Sequence, residues 1–195
     1  MAELKLPVNE ETIRGLEVGD FVELSGRMIT GRDAAHTWLM EEYREEVAPF
    51  MKDSVIYHCG PVVASNDDGT YEFVAAGPTT SIREEPYQAD VIGRYGLRGV
   101  IGKGGMGATT LAGLAEYGAV YLHAVGGAAQ VLARAIPRVE RVFMLEEFGV
   151  PEALWVIDVE RFPVMVTMDS HGGSLHDKVE EHSQEKLKEL LGFAG

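Results

Sequence analysis

Two short motifs in the middle of the chain combine backbone and side-chain groups that suit a small anion. The first runs from Gly77 to Arg83 (GPTTSIR), and the second from Gly102 to Met106 (GKGGM). In each motif, glycine or proline sets the backbone, and hydroxyl groups or a fixed cation lie beside it. Open amide groups, a guanidinium and an ammonium together predict a site for a small anion, most naturally one that carries carboxylates.

The second motif also resembles a nucleotide-binding loop, because a predicted strand precedes it and a predicted helix follows. The loop variant KGGxGKTT would match Lys103 to Thr110, except that Ala108 replaces the lysine that should reach the β- and γ-phosphates. The missing cation argues against nucleotide hydrolysis. Two alternatives stay open for Lys103: a carboxylate-binding point charge, or a solvated lysine in a tight strand-to-helix turn.

The first motif has two interpretations of equal weight. Three adjacent hydroxyl groups followed by Arg83 offer several donors to an anion. The same residues could form a Ser/Thr turn that caps a helix, with Arg83 at the surface. A third cation lies earlier, since Arg32 stands at the entrance of a predicted helix, where free amide groups favour an anion. Asp33 is expected to cap that helix.

Composition excludes several classes of protein. The chain has 195 residues and a net charge of −14, which argues against nucleic-acid binding. Between Arg94 and Arg138, however, Glu116 is the only acid, so the middle of the chain is cationic. The single cysteine, Cys59, excludes an internal disulfide and a cysteine-only metal site, and the histidine spacings match no zinc signature. No apolar run reaches the roughly 20 residues of a membrane span and no signal pattern is found, so we expect a cytoplasmic protein.

The hydrophobic patterns predict a single α/β domain over residues 1–176 and an amphipathic helical tail over 177–195. Gly26 is expected to form a bulge within the first strand, and residues 83–88 are interpreted as a polar connector. The predicted strands cover 21–29, 55–59, 71–75, 99–101, 119–124, 141–145, 153–159 and 164–168, and the predicted helices 33–46, 108–117 and 128–136.

Taken in order, the motifs resemble a known family. Thr30–His36 (TGRDAAH), Gly77–Arg83 and Gly102–Met106 are similar to the β-subunit, or C-terminal domain, of class I iron–sulfur fumarase and L-tartrate dehydratase. The resemblance extends from about Leu24 to Gly173. It also includes the segments 117–121, 124–129 and 152–155 and the dipeptide Phe162-Pro163.

The resemblance implies a swivelling β/β/α layered domain with a mixed sheet. It also implies reversible addition of water to a C4 dicarboxylate, with fumarate to malate as the first expectation and L-tartrate or mesaconate chemistry as alternatives. A [4Fe–4S] cluster is implied as Lewis acid, held by cysteines of a partner α-subunit in an α2β2 heterotetramer. Without that partner the chain would not be active. A non-catalytic module that binds a dicarboxylate or a partner is the second hypothesis.

By motif, the family's substrate-binding residues correspond to Arg32, Thr79, Arg83 and Lys103. The three cations would clamp the two carboxylates, and Thr79 and Lys103 would be the catalytic residues, with the threonine implicated in moving the substrate's proton. One departure follows Arg83, where Glu84-Glu85 replaces the Met-Asp of many members. The two carboxylates could repel substrate, point away from the site, or contact the partner.

Overall fold

A seven-stranded mixed sheet organises residues 2–192, the part of the chain that the computed structural model describes. Its strand order is β1-β2-β3-β6-β7-β9-β8, and β4 and β5 form a separate hairpin. The strands are β1 (Ala2–Leu6), β2 (Phe21–Thr30), β3 (Val55–Tyr57), β4 (Val62–Ser65), β5 (Tyr71–Ala75), β6 (Gly99–Gly102), β7 (Val120–His123), β8 (Arg138–Phe143) and β9 (Leu154–Met168).

The long strand β9 closes part of this sheet into a ring. Strands β1, β2, β3, β6 and β7 pair in parallel, whereas β9 runs antiparallel to β7, β8 and β2. Because β9 pairs with both β2 and β7, the strands β2, β3, β6, β7 and β9 form a continuous circle of backbone hydrogen bonds. Arg161, which has a positive φ of 50°, lies within β9.

Alternate residues of the ring face two different hydrophobic cores, as the two-residue period of a strand requires. Tyr57, Ile101 and Leu122 pack in one cluster with Trp155 and Phe162. Their neighbours Ile56, Val100 and Tyr121 pack in the other cluster against the helices. The helices are α1 (Glu10–Arg14), α2 (Asp33–Glu41), α3 (Ala48–Met51), α4 (Glu85–Tyr95), α5 (Ala108–Tyr117), α6 (Ala129–Ala133), α7 (Leu145–Phe148) and α8 (Leu175–Leu191), and a 3-10 turn (Ser81–Glu84) precedes α4.

The structure confirms the predicted fold class, a mixed α/β protein with a C-terminal helix. Two local predictions are confirmed in detail. Gly26 has a φ of 119° and marks a register shift in the β2–β9 pairing. Helix α5 ends at Tyr117 because Gly118 adopts the left-handed conformation of a C-cap.

Other sequence predictions were wrong. Helix α2 ends at Glu41 rather than at residue 46, and the Asp33 side chain makes no capping hydrogen bond. The two strands predicted at 153–159 and 164–168 are one strand, β9. The predicted connector 83–88 opens helix α4, which has Pro86 in its first turn, where the missing N–H costs nothing. Strands β1 and β4 were not predicted.

The C-terminal tail forms helix α8, which starts at Leu175, two residues before the predicted boundary. Leu187, Leu190 and Leu191 are exposed on it, so the predicted apolar side of the helix is not buried among residues 2–192. Residues 193–195 of the predicted tail lie outside the described residues. Among the described helices, none is both long enough and apolar enough to cross a membrane.

Candidate functional site

The two glycine-containing motifs meet where strands β3 and β6 end. The Thr79 amide donates to the His58 carbonyl (2.8 Å), and the Lys103 amide donates to the Thr79 carbonyl (3.2 Å). The Ser81 amide in turn donates to the Lys103 carbonyl (3.1 Å). Segment 78–81 is therefore fastened to both strands at their carboxyl ends, the edge of a parallel sheet where ligands commonly bind.

Lys103 presents a free ammonium group at this edge. Its side chain is half-buried and runs past Gly126, where a Cβ atom would lie 3.7 Å from Lys103 Cδ. Within residues 2–192, no carboxylate lies within 4.0 Å of the ammonium nitrogen, and the ammonium donates no hydrogen bond. The Lys103 ammonium is therefore available to bind an anion that is not a side chain of residues 2–192.

Arg32 lies at the start of helix α2, with its guanidinium packed directly on the backbone of Gly60. A side chain at residue 60 would overlap Arg32 Nη1 and displace the guanidinium. Arg32 Nε lies 3.0 Å from Glu152 Oε1 without hydrogen-bond geometry, and Arg32 Nη2 lies 3.6 Å from Asp33 Oδ2. Arg32 is thus held between two carboxylates.

Arg83 shares one of these carboxylates. Its Nε donates to Asp33 Oδ1 (3.0 Å), and its Nη2 donates to Asp33 Oδ2. The guanidinium groups of Arg32 and Arg83 therefore both contact Asp33. Its carboxylate pairs with these two cations and does not cap helix α2. The structure brings Arg32 and Arg83 together in this way, although 51 positions separate them in the sequence.

The three hydroxyl groups of the first motif have different environments. Thr79 is half-buried, and its hydroxyl makes no hydrogen bond within residues 2–192; Thr80 is exposed. Ser81 is buried, and its Oγ lies 2.9 Å from His58 Nδ1 and accepts a hydrogen bond from the Tyr121 hydroxyl (2.9 Å). Thr79 is the candidate for contact with a ligand, whereas Ser81 belongs to the interior.

A buried polar network continues beneath the site. Gln88 Oε1 lies 2.8 Å from His58 Nε2 and 2.9 Å from His36 Nε2, and His36 Nδ1 donates to the Arg32 carbonyl (2.9 Å). Both histidines are fully buried, and burial holds their pKa values below the ordinary value, for His58 well below it. The network therefore connects Ser81 to the backbone of Arg32.

The two glutamates that follow Arg83 have opposite roles. Glu85 accepts hydrogen bonds from the Gly107 amide (2.7 Å), the Thr109 amide (3.0 Å) and Thr110, so it caps helix α5. Glu84 is fully buried, and neither of its carboxyl oxygens has a hydrogen-bond partner among residues 2–192. Burial raises the pKa of Glu84 to about 7. Glu84 is therefore enclosed, and the Glu85 carboxylate is engaged at the start of helix α5.

His176, in the first turn of helix α8, packs on the glycine loop of Lys103. A Cβ on Gly105 would lie 2.5 Å from the His176 ring, whose Nε2 lies 3.0 Å from Thr167 Oγ1. The tail helix thus begins against the loop that carries the lysine. The sequence analysis did not predict this contact or the pairing of Asp33 and Glu152 with the cations, because His176 and Glu152 lie far from them in the chain and Asp33 was expected to cap helix α2.

The residues of this chain do not fit an iron–sulfur cluster. Cys59 is the single cysteine; it is buried, and burial raises the pKa of its thiol to about 12. Cluster ligands are thiolates, so this thiol is a poor candidate. In the described range 2–192, no group of three or more His, Cys, Asp or Glu side chains is arranged to hold a metal ion.

Fold and site together define an α/β protein with three cationic side chains at one edge of a parallel sheet. Residues 1–179 match the family described as Fumarase C-terminus. The chain belongs to this family, that of class I fumarate hydratases and L-tartrate dehydratase β-subunits, which are hydro-lyases.

Three relatives illustrate the membership. A Geobacillus stearothermophilus protein with the provisional name fumarate hydratase class I is 52% identical over 96% of this chain, which spans 36% of that protein. A Methanocaldococcus jannaschii protein provisionally named L(+)-tartrate dehydratase subunit beta is 40% identical over 95% of the chain and 96% of its own length. The Escherichia coli K12 L(+)-tartrate dehydratase subunit beta is 36% identical over 88% of the chain and 85% of its own length.

Proposed function

We propose that this chain is the β-subunit of a hydro-lyase that reversibly adds water to a C4 dicarboxylate, with fumarate to malate as the first choice of reaction. The observation that carries the proposal is that two cationic pairings lie at the carboxyl ends of neighbouring parallel strands: Arg32 and Arg83 share Asp33, and Lys103 is bonded to Thr79 through the backbone. Relatives named for fumarate hydratase and tartrate dehydratase support the reaction class.

In this proposal the three cations have distinct tasks. Asp33 and Glu152 hold the two guanidinium groups in place, and each guanidinium has five N–H donors, so donors stay available for a substrate carboxylate. Lys103 has no such carboxylate partner within residues 2–192 and would bind as a point charge. The three cations exceed the protein's own two carboxylates, those of Asp33 and Glu152, by one positive charge. This excess favours the binding of a dianion.

Thr79 would contact the substrate and hold or move its proton. Thr79 belongs to segment 78–81, whose backbone is hydrogen-bonded to that of Lys103. The same strand ends therefore position the Thr79 hydroxyl and the Lys103 ammonium. A free threonine is a poor base, and the neighbouring cations supply the electrostatic support that its ionised form requires. We assign Thr79 and Lys103 as the catalytic residues on this basis.

The partner in this proposal is an α-subunit whose cysteines hold the [4Fe–4S] cluster, in an α2β2 assembly. The unsuitable environment of Cys59 supports a cluster held elsewhere. Three exposed apolar side chains adjoin the site residues: Ile82 precedes Arg83, Val125 precedes Gly126, and Val62 lies two residues after Gly60. Exposed apolar groups around a cationic site suit a face that a partner covers.

Reconstitution with a cysteine-bearing partner tests the proposal. The anaerobically reconstituted complex should hydrate fumarate or dehydrate malate, and neither chain alone should do so. Lys103→Met should lower kcat/KM by about two orders of magnitude or more, because a positioned charge at the reacting dicarboxylate is lost. Lys52→Met, at an exposed lysine, is the control and should leave kcat/KM unchanged. Equal activity of both variants would overturn the assignment of Lys103.

The choice of substrate needs a direct comparison. Fumarate, L-malate, L(+)-tartrate and mesaconate present similar carboxylates to the three cations, so kcat/KM should be measured for each with the same complex. A preference for tartrate would assign the chain to the tartrate dehydratases. Binding of dicarboxylate without any turnover by the reconstituted complex would favour a non-catalytic binding module.

A further inference from the structure

Glu84 is an unpaired carboxyl group in the interior, directly behind the candidate site. Its side chain is fully buried, and neither oxygen accepts a hydrogen bond from residues 2–192. The nearest titratable nitrogen is His36 Nδ1, 3.9 Å from Glu84 Oε2. An ionised carboxylate without hydrogen bonds is strongly disfavoured in such a place, so the group holds a proton that an exposed glutamate would lose.

Glu84 and His36 are close enough for the charge of one to affect the other, since Glu84 Oε2 lies 3.9 Å from His36 Nδ1. Nδ1 of His36 donates to the Arg32 carbonyl, so Nε2 accepts unless the ring is an imidazolium. Burial lowers the pKa of His36, so the ring is neutral. Its Nε2 then accepts from the Gln88 amide, turned so that the NH2 group faces both histidines, and Glu84 holds the proton. The pair therefore carries no net charge.

Loss of that proton would make the pair negative next to the substrate cations. Burial raises the pKa of Glu84, and Glu152 raises it further. The guanidinium groups lower it: that of Arg83, which precedes Glu84 in the chain, and that of Arg32, whose carbonyl accepts a hydrogen bond from His36. The charged and titratable groups of the surrounding elements are Arg32, Asp33 and His36 near α2, Arg83 and Glu85 beside Glu84, His58 after β3, and Glu152 before β9.

We propose that the Glu84–His36 pair keeps its proton, or takes one up, when the dicarboxylate binds, so that Glu84 determines the affinity of the site for a dianion. With the proton, Arg32, Arg83 and Lys103 exceed the carboxylates of Asp33 and Glu152 by one charge. Without it, the positive excess disappears, and the affinity for a dianion falls. Glu84 acts through the charge of the site and does not touch the substrate, so it is a positioning residue. This inference rests on the proposed function.

Calorimetry with succinate on the reconstituted complex provides the first test. Succinate is a C4 dicarboxylate without a double bond to hydrate, and both its carboxyl groups are ionised above pH 6.5. Titrations at pH 7.5 in buffers of different ionisation enthalpy should show net uptake of protons, up to about one per site. Uptake should disappear in Glu84→Gln and persist in Glu72→Gln, which removes an exposed carboxylate of β5.

The pH dependence of turnover provides the second test. In the wild-type complex, kcat/KM should fall about tenfold or more between pH 6.5 and 8.5, mainly through a rise in KM. In Glu84→Gln it should change less than about twofold over the same range. Glu84→Met, which is also neutral, should behave like Glu84→Gln and covers the case in which the first variant folds poorly.

The outcomes separate this inference from the proposed function. Turnover with the same pH profile in wild type and both Glu84 variants, or succinate binding without proton uptake, overturns the role of Glu84 and leaves the hydro-lyase intact. Succinate binding with proton uptake but no hydration of any C4 dicarboxylate supports the role of Glu84 and overturns the hydro-lyase. A complex that neither binds succinate nor hydrates any C4 dicarboxylate overturns both.

Discussion

Arg83 and Asp33 form a two-point contact in which Nε and Nη2 of the guanidinium donate to the two carboxylate oxygens. The contact joins the turn before α4 to the first residue of α2, and Arg32 lies against the same carboxylate. A carboxylate inside a predicted anion site competes with the anion for charge. It also fixes the plane of the guanidinium, which is required for two-point binding of a second carboxylate.

Asp33→Asn tests which of these effects is larger. We expect kcat/KM of the reconstituted complex to fall about tenfold or more, because an unrestrained Arg83 loses its orientation. The free energy of unfolding should change by less than about 1 kcal/mol, since both side chains are nearly half exposed. Steady-state kinetics and urea denaturation measure the two quantities. Glu41→Gln, at an exposed carboxylate near the end of α2, is the control. A gain in affinity for substrate would show that Asp33 acts mainly as a competitor.

Glu85→Ala should destabilise the protein. Glu85 accepts hydrogen bonds from the first turn of α5, and loss of a helix N-terminal cap of this kind costs about 1–2 kcal/mol. Chemical denaturation followed by circular dichroism measures the loss. Glu116→Ala removes an exposed glutamate near the other end of α5 and should cost nothing, because an acid there is unfavourable for the helix dipole. Equal effects of the two variants would refute the capping role.

His58 and His36 should make the fold sensitive to acid. Burial lowers the pKa of each ring, so below about pH 6.5 the unfolded chain binds more protons than the native protein. The free energy of unfolding therefore falls as pH falls, by up to about 1.4 kcal/mol per pH unit for each ring. His58→Gln should reduce this slope, measured from thermal unfolding between pH 6.5 and 5. His182→Gln, at an exposed position of α8, should keep the wild-type slope.

Glu84 contributes a slope of opposite sign over part of this range. Its raised pKa means that the native protein holds a proton that the unfolded chain has lost above about pH 4.5, so this contribution decreases as pH rises towards 7. The Glu84 contribution is the same in the wild type, His58→Gln and His182→Gln. The difference in slope between the wild type and His58→Gln therefore measures the contribution of His58. An unchanged slope in His58→Gln would contradict the assignment.

Gly105→Ala and Gly104→Ala form a matched pair of substitutions. Both glycines have a positive φ, 78° and 85°, so alanine strains the backbone at either position. A Cβ at residue 105 meets the His176 ring, whereas a Cβ at residue 104 meets nothing within 4 Å. Gly105→Ala should therefore cost about 1–2 kcal/mol more in the free energy of unfolding and lower kcat/KM further, because it displaces the loop of Lys103.

A double variant identifies the cause of this difference. Gly105→Ala combined with His176→Ala removes the overlapping ring and should bring the stability close to that of Gly104→Ala combined with His176→Ala. If the extra cost persists without the ring, the His176 contact is not responsible. Thermal unfolding of the four proteins is sufficient, and no partner subunit is needed.

The sequence predicted local structure correctly at positions where one residue type determines the backbone conformation. Gly26 at the bulge and Gly118 at the end of α5 are examples, since each adopts a positive φ that other residues avoid. Helix α4 was missed because Glu84-Glu85-Pro86 has the composition of a connector. Pro86 in fact lies in the first turn, where proline is favoured. Strand β9 was divided in two because the exposed residues Glu160 and Arg161 interrupt its apolar pattern.

The candidate site was predictable in part. The sequence indicated Arg32, Thr79, Arg83 and Lys103, and the structure brings them to one sheet edge, while their roles stay predictions. Glu152 could not be predicted as a partner of Arg32, because it lies 120 positions further along the chain. The burial of Glu84 could not be predicted either, because a charged residue is usually exposed. Glu84 is buried because the 3-10 turn Ser81–Glu84 packs against α2.

The pairing of β9 with both β2 and β7 has a consequence for synthesis on the ribosome. All four predicted site residues precede residue 104, but the ring of strands that positions them closes only through Leu154–Met168. Contacts of such large sequence separation form late in folding, after the entropy of closing a long loop has been overcome. A nascent chain that stops before Leu154 would therefore expose β2 and β7 as two open sheet edges, ready to pair with another chain.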